Sequence, residues 1–229
     1  MYTISGISIA PATSAAGVLD SRGYMWFTPD VSASTPSWVQ LPGRVSFFST
    51  DGDLAVVSLS SGSVYLCTAP DASCNWAQRG GVTAIQVAIS GTKVVALEID
   101  TNAIKYTDDI TVSSPVWTQV SNPTATILNQ VSIDGATLVG VSNDGNVYYC
   151  ATLPTCTWET LSPPTNELAT FASVAGSYVS LVVDSGKIFY SVGGSTWTEN
   201  TDAPSFAVGG VSSLTNAVFP TSYYFVPSS

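Results

Sequence analysis

Five tryptophans fall at nearly equal intervals along this chain: Trp38, Trp76, Trp117, Trp158 and Trp197, spaced 38, 41, 41 and 39 residues apart. Each lies near the end of one copy of a module. The module is clearest in Asn143–Thr160, NDGNVYYCATLPTCTWET, which reads as a tight turn, a short strand, a loop and a second strand opening at Trp158. Ser60–Gln78 matches it in turn glycine, Val-Tyr pair, cysteines and tryptophan. Ser21–Gln40, Thr101–Gln119 and Asp184–Glu199 are weaker copies. A fixed period of this size marks stacked or radial repeat architectures.

Each period holds four apolar β-type runs. In the second copy they are Val45–Phe48, Leu54–Leu59, Val64–Cys67 and Trp76–Gln78, separated by Asp51-Gly52, Ser61-Gly62 and the cysteine loop. The pattern predicts an all-β fold, a six-bladed β-propeller with four antiparallel strands per blade, spanning residues 1–229 as one domain. The C-terminal runs Val208–Val211, Ala217–Phe219 and Tyr223–Val226 supply only three strands of a sixth blade. Met1–Ile4 has the shape of Trp38–Leu41, with Tyr2 in place of tryptophan. It is therefore expected to complete the last blade and leave no sheet edge unpaired. A β-sandwich or barrel would require neither the fixed period nor complementary fragments at the two ends.

Sixteen acids against six Lys and Arg give a net charge of −10, which repels nucleic acid and anionic membrane. No apolar run approaches a membrane span, and no basic-then-apolar opening is present, so a cytoplasmic product acting on external ligands is expected. Histidine is absent, which removes Ser-His-Asp and Cys-His nucleophiles, His metal sites and His-based proton transfer. No metal or cofactor is expected. Cys67/Cys74 and Cys150/Cys156 each bracket a loop between antiparallel strands, within reach of a disulfide. Buried free thiols in a reducing compartment are the alternative.

Two columns of side chains repeat with the module. One follows the turns beginning at Ser21, Ser60, Asp100, Asn143 and Asp184, where an aromatic or long side chain comes soon after: Trp26, Tyr65, Lys105, Tyr148 and Phe189. The turn residues either serve left-handed backbone angles or offer hydrogen bonds to a polar ligand lodged between blades. An aromatic face beside polar acceptors suits a sugar ring. The other column pairs each tryptophan with the residue two further on: Trp38/Gln40, Trp76/Gln78, Trp117/Gln119, Trp158/Thr160, Trp197/Glu199. Residues i and i+2 of a strand share a face. Each outer strand thus shows an indole and a hydrogen-bonding group together, as a wedge between blades or as a repeated binding surface.

Enzyme readings find little here. Ser191–Trp197 resembles the Asp-box turn of sialidase propellers but lacks its aspartate, and Arg22, Arg44 and Arg79 sit in two early copies and not in a carboxylate-binding triad. No motif marks a glycosidase carboxylate pair. No enzymatic activity is expected.

Short blades of about forty residues ending in Trp-x-Gln, preceded by a Gly-x-Val/Ile-Tyr strand, resemble the tectonin group of fungal β-propeller lectins. The resemblance covers the whole chain, with Lys105 and Tyr2 departing from its pattern. It implies multivalent, non-catalytic binding of O-methylated glycans such as methylated mannose or fucose, in defence, with a homo-oligomer of rings as one route to avidity. A non-catalytic protein-binding scaffold is the alternative, and a divergent glycosidase a more distant one.

Overall fold

The structure is a computed structural model that describes residues 4–9, 14–123 and 126–201. All regular elements among them are strands, antiparallel to their neighbours within each sheet. The first four-stranded blade is β1 (Ile4–Ile9), β2 (Ala16–Asp20), β3 (Met25–Thr28) and β4 (Val39–Gln40). The second is β5 (Phe47–Asp51), β6 (Leu54–Ser58), β7 (Ser63–Cys67) and the opening of β8 (Ala77–Ser90). The rest of β8 begins the third, with β9 (Lys93–Glu98), β10 (Ile104–Thr107) and β11 (Thr118–Val120). The fourth is β12 (Leu128–Asp134), β13 (Thr137–Ser142), β14 (Val147–Cys150) and β15 (Trp158–Leu161). The fifth is β16 (Ala169–Ala175), β17 (Tyr178–Val183), β18 (Ile188–Val192) and β19 (Thr198–Glu199).

The strand runs read in the second copy recur with shifted bounds, Phe47–Asp51 against Val45–Phe48 and Ala77–Ser90 against Trp76–Gln78. Blades two and three share the continuous β8, so they form a single seven-stranded sheet. Ala77–Arg79 pairs outward with β7, and Ala84–Ser90 pairs with β9. Between them, a side chain on Gly81 (φ +87°) would come within 3.0 Å of the Trp117 ring. Glycine there lets the next blade's indole pack down onto the strand.

The apolar cores lie between blades. Phe27, Leu41, Phe48 and Val57 fill the first junction, and Val56, Val64, Val87 and Ile110 the second. Leu97, Tyr106, Val131 and Leu138 fill the third, and Val139, Leu161, Val174 and Leu181 the fourth. Neighbouring inner strands are also joined by side chains that bond the next strand's backbone. Ser8 Oγ accepts from Thr50 N (3.0 Å), Ser49 Oγ from Ile89 N (3.2 Å) and Ser132 Oγ from Val174 N (3.4 Å). The third blade has Ala88 in that column and uses flanking positions instead. The Gln86 amide bonds both N (3.1 Å) and O (3.2 Å) of Val131, and Ser90 Oγ accepts from Gly135 N (2.9 Å).

Three of the β2–β3-type turns tie to the following blade through a glycine carbonyl as well. The carbonyls of Gly23, Gly62 and Gly145 accept from Val45, Ala84 and Ala169 at 2.7–3.1 Å. These glycines have positive φ, and the third copy places Asn102 (φ 51°) where the others have glycine. Asparagine is the side chain that best tolerates this left-handed geometry. In the first turn Asp20 accepts from Arg22 N (2.9 Å), Tyr24 N (3.1 Å) and Arg22 Nη2 (2.7 Å). Burial alone would push this carboxyl up, but the Arg22 guanidinium and the two N–H groups together hold it below its ordinary 3.8. A lowered folded-state value adds stability above the unfolded pKa and loses it as pH falls through the folded one. Asp20→Asn should therefore be destabilised at pH 7, and denaturant titrations should show its deficit shrinking below about pH 3.8. A deficit constant down to pH 2 would contradict this.

Both cysteine pairs are disulfides, with Cα–Cα 6.0 Å for Cys67–Cys74 and 5.4 Å for Cys150–Cys156, so the free-thiol alternative does not hold. Loops this short gain about 2–3 kcal/mol each.

The expected closure by Met1–Ile4 is corrected at Ile4. Ile4 pairs with Asp20 inside the first blade, just before a register shift at Gly6. Ala84, Leu128 and Ala169 occupy the same pre-shift position in later blades. Ile4 thus belongs to the inner strand of the first blade and not to an outer strand of the last. Met1–Thr3 and the three C-terminal runs lie outside the described residues.

Candidate functional site

The strand registers bring the two sequence columns face to face. Trp26 lies opposite Gln40, Tyr65 opposite Gln78, Lys105 opposite Gln119, Tyr148 opposite Thr160 and Phe189 opposite Glu199. Cross-strand partners sit within direct side-chain reach. Each outer strand pair therefore assembles one aromatic or lysine, one hydrogen-bonding side chain, and the indole two residues earlier. Tyr148 OH is within 3.2 Å of Thr126 Oγ1 at the blade junction, and Lys105 Nζ lies 3.5 Å from Gln119 Oε1. The fifth copy differs, because Phe189 is buried in the core and Glu199 is bonded by Lys187 at 3.3 Å.

The indoles are committed to the blade junctions. Trp76 Nε1 donates to Pro42 O, Trp117 to Gly80 O, Trp158 to Ser121 O and Trp197 to Ser162 O, all at 2.5–2.9 Å. Each acceptor belongs to the end of the preceding blade, and each ring packs against the core of that junction. An indole has one donor, so these rings have only part of a face left for a ligand. Trp38 is the exception: it is 38% exposed, and its N–H has no partner among the described residues.

The rim residues divide. Asp100 and Asn143 are exposed. Asp184 is occupied, since Leu168 N and Ser185 N both donate to its Oδ1 at 3.1 Å. Where inner strands converge, lined by Gln86, Gln130, Ser132 and Phe171 among others, the free space is about 10 Å³. That is room for roughly one water, too little for a sugar or a peptide.

A larger opening lies at the junction of the first two blades. A cleft of about 410 Å³ is bounded by Ala15, Phe27, Pro29, Ser37 and Val39 on one blade and Gly52, Asp53, Ala69, Pro70 and Asp71 on the other. Its volume falls in the range of ligand pockets. The β5–β6 turn supplies Asp53, and the disulfide-closed loop supplies Asp71. Ser73 donates to Asp71 Oδ1 through both its N–H and hydroxyl at 2.7 Å, holding the carboxyl below its ordinary value. No lysine or arginine lines the cleft. Arg22 and Arg44 flank the Tyr24 ring at 5.0 Å each on the other rim, and Arg79 is buried against Ile110 O (2.7 Å). Sequence reasoning missed this cleft because its lining does not repeat: it joins strand ends and loops of two blades. The only local signals are Pro29, Pro70 and the acids beside them.

No family model matches the chain, and no curated protein does. Solved structures do match. YCF48 from Cyanidioschyzon merolae is 15% identical, with 87% of this chain and 72% of that one covered and a TM-score of 0.59. A structure of YCF48 bound to D1 peptide gives 18%, 88%, 68% and 0.58. The Cps50 (Swd1) beta-propeller domain of Myceliophteria thermophila gives 10%, 82%, 64% and 0.59. At these identities the likeness is one of fold and does not extend to a sugar-binding family. That shared fold, built here from repeated four-stranded blades, is the β-propeller.

Proposed function

We propose that this propeller is a non-catalytic docking platform for a protein partner, seated in the cleft between the first two blades. The carrying observation is that cleft. Every described junction is stapled by an indole–carbonyl bond, the first by Trp76 to Pro42 O, and the first also opens into about 410 Å³ with apolar walls and the carboxylates of Asp53 and Asp71 on one side. A chain of similar fold is solved bound to D1 peptide, and peptide docking is the use assigned here. Peptides selected by display on the parent protein should bind Ala69→Trp, which fills the cleft, at least about tenfold more weakly. Unchanged binding would sink this reading.

The repeated triad of aromatic, amide and indole favours a second reading, a multivalent lectin for O-methylated glycans at sites such as Tyr65/Gln78 and Tyr148/Thr160. A buried methyl ether adds roughly 0.8 kcal/mol per site. A glycan array should then show methylated sugars bound above their plain counterparts, and equal signals would remove it.

The ring is proposed to hold six blades, with residues 202–229 contributing the sixth. Two unused interblade contacts support this, one at each end of the described arc. Ser173 Oγ is buried without a partner, in the column where Ser8, Ser49 and Ser132 bond the next inner strand. The Trp38 indole likewise lacks the carbonyl that its four counterparts find on the preceding blade.

A further inference from the structure

We infer that the cleft between the first two blades takes a cationic side chain, so that the docked partner presents a lysine or arginine on an extended segment. This rests on the docking reading and adds the partner's chemistry. Phe27, Val39, Pro29 and Pro70 give the cleft apolar walls, while Asp53 and Asp71 stand on its second-blade side. A long basic side chain matches this layout, since its methylene stem covers apolar surface while its charged head seeks carboxylates. Asp71 is held in its charged form by Ser73. Asp30, beside Pro29 at the same rim, is likewise held below its ordinary value by the Ser32 hydroxyl (2.6 Å) and N–H (2.9 Å).

No lysine or arginine of this chain offsets these charges. Arg22 bonds Asp20, Lys93 lies near Asp108, Lys105 near Glu98, and Lys187 between Glu167 and Glu199. Arg44 sits on the Tyr24 ring and Arg79 on the Ile110 carbonyl. A negative cleft on a chain of net charge −10 draws a positive partner both at long range and at contact. A neutral or acidic peptide would leave two carboxylates facing apolar contacts or like charge.

Capped hexalysine, hexaglutamate and a neutral Ser-Tyr hexapeptide provide the test. Binding is read by fluorescence anisotropy across salt concentrations and by amide shifts at Gly52 and Ala69. Hexalysine should bind and shift both amides. Asp53→Asn/Asp71→Asn should weaken it by about tenfold, and Asp53→Asn alone by about threefold. Asp100→Asn/Asp144→Asn, on the other rim, should change it less than about twofold. Equal losses in the two double variants would reduce the effect to net charge and overturn the inference. Shifts at Gly52 and Ala69 with the neutral peptide but not with hexalysine would overturn it while leaving the docking reading intact. No shift there with any peptide would overturn both.

Discussion

Replacing Phe48 with alanine should lower the free energy of unfolding by about 3–5 kcal/mol. The Phe48 ring is fully buried at the first junction, packed among Phe27, Leu41 and Val57. It also explains a glycine. A Cβ on Gly17, in the strand of the neighbouring blade, would stand 2.5 Å from Phe48 Cε2 and 3.0 Å from the Met25 methyl. The ring fills the space that the missing side chain leaves, so removing it opens a cavity that the rigid strands on either side cannot close. Because the cores lie between blades, the loss should loosen one blade from the next without unravelling either sheet. Urea unfolding monitored by tryptophan fluorescence reads the effect, with Phe48→Leu as the volume-sparing control at under about 1.5 kcal/mol. Equal losses for Ala and Leu would mean that the ring's volume is not what holds the junction together.

The sequence made part of this legible. Tryptophan spacing and turn glycines located the strands of every described copy, because both follow from local chemistry that repeats with the blade. The wedge role of the indoles was one of two alternatives. Choosing between them required Pro42, Gly80, Ser121 and Ser162, acceptors roughly 35 residues upstream that no local pattern marks. The pairing of Tyr65 with Gln78 was hidden for a similar reason: register depends on loop length and bulges, and the period does not encode it. The misplacement of Ile4 arose from matching apolar shape alone: its pairing with Asp20, just before the shift at Gly6, is a matter of register that no local pattern marks. The cleft was invisible because it exists only once Phe27 and Asp71, on different blades, face each other.

The polar contacts between inner strands give the second large effect. Gln86 is buried, and its amide bonds both the N–H and the carbonyl of Val131 on the next blade. It bridges the third blade, whose serine column is interrupted at Ala88. Gln86→Ala leaves a donor and an acceptor buried without partners, at a cost of about 2–4 kcal/mol. Ser49→Ala removes a single acceptor, from Ile89 N, and should cost about 1–2 kcal/mol. Gln86→Glu separates hydrogen bonding from packing. Its carboxylate can still accept from Val131 N but, when ionised, offers nothing to Val131 O and carries a buried charge. Burial raises the folded-state pKa of such a carboxyl above its unfolded value. The variant should thus be most stable in acid and lose stability as pH rises through about 4.3 toward the raised value. Urea midpoints at pH 4 and pH 7, taken relative to the parent at each pH, measure this directly. If Gln86→Glu matched the parent at pH 7, the donor to Val131 O would contribute nothing and the bridge would reduce to ordinary packing.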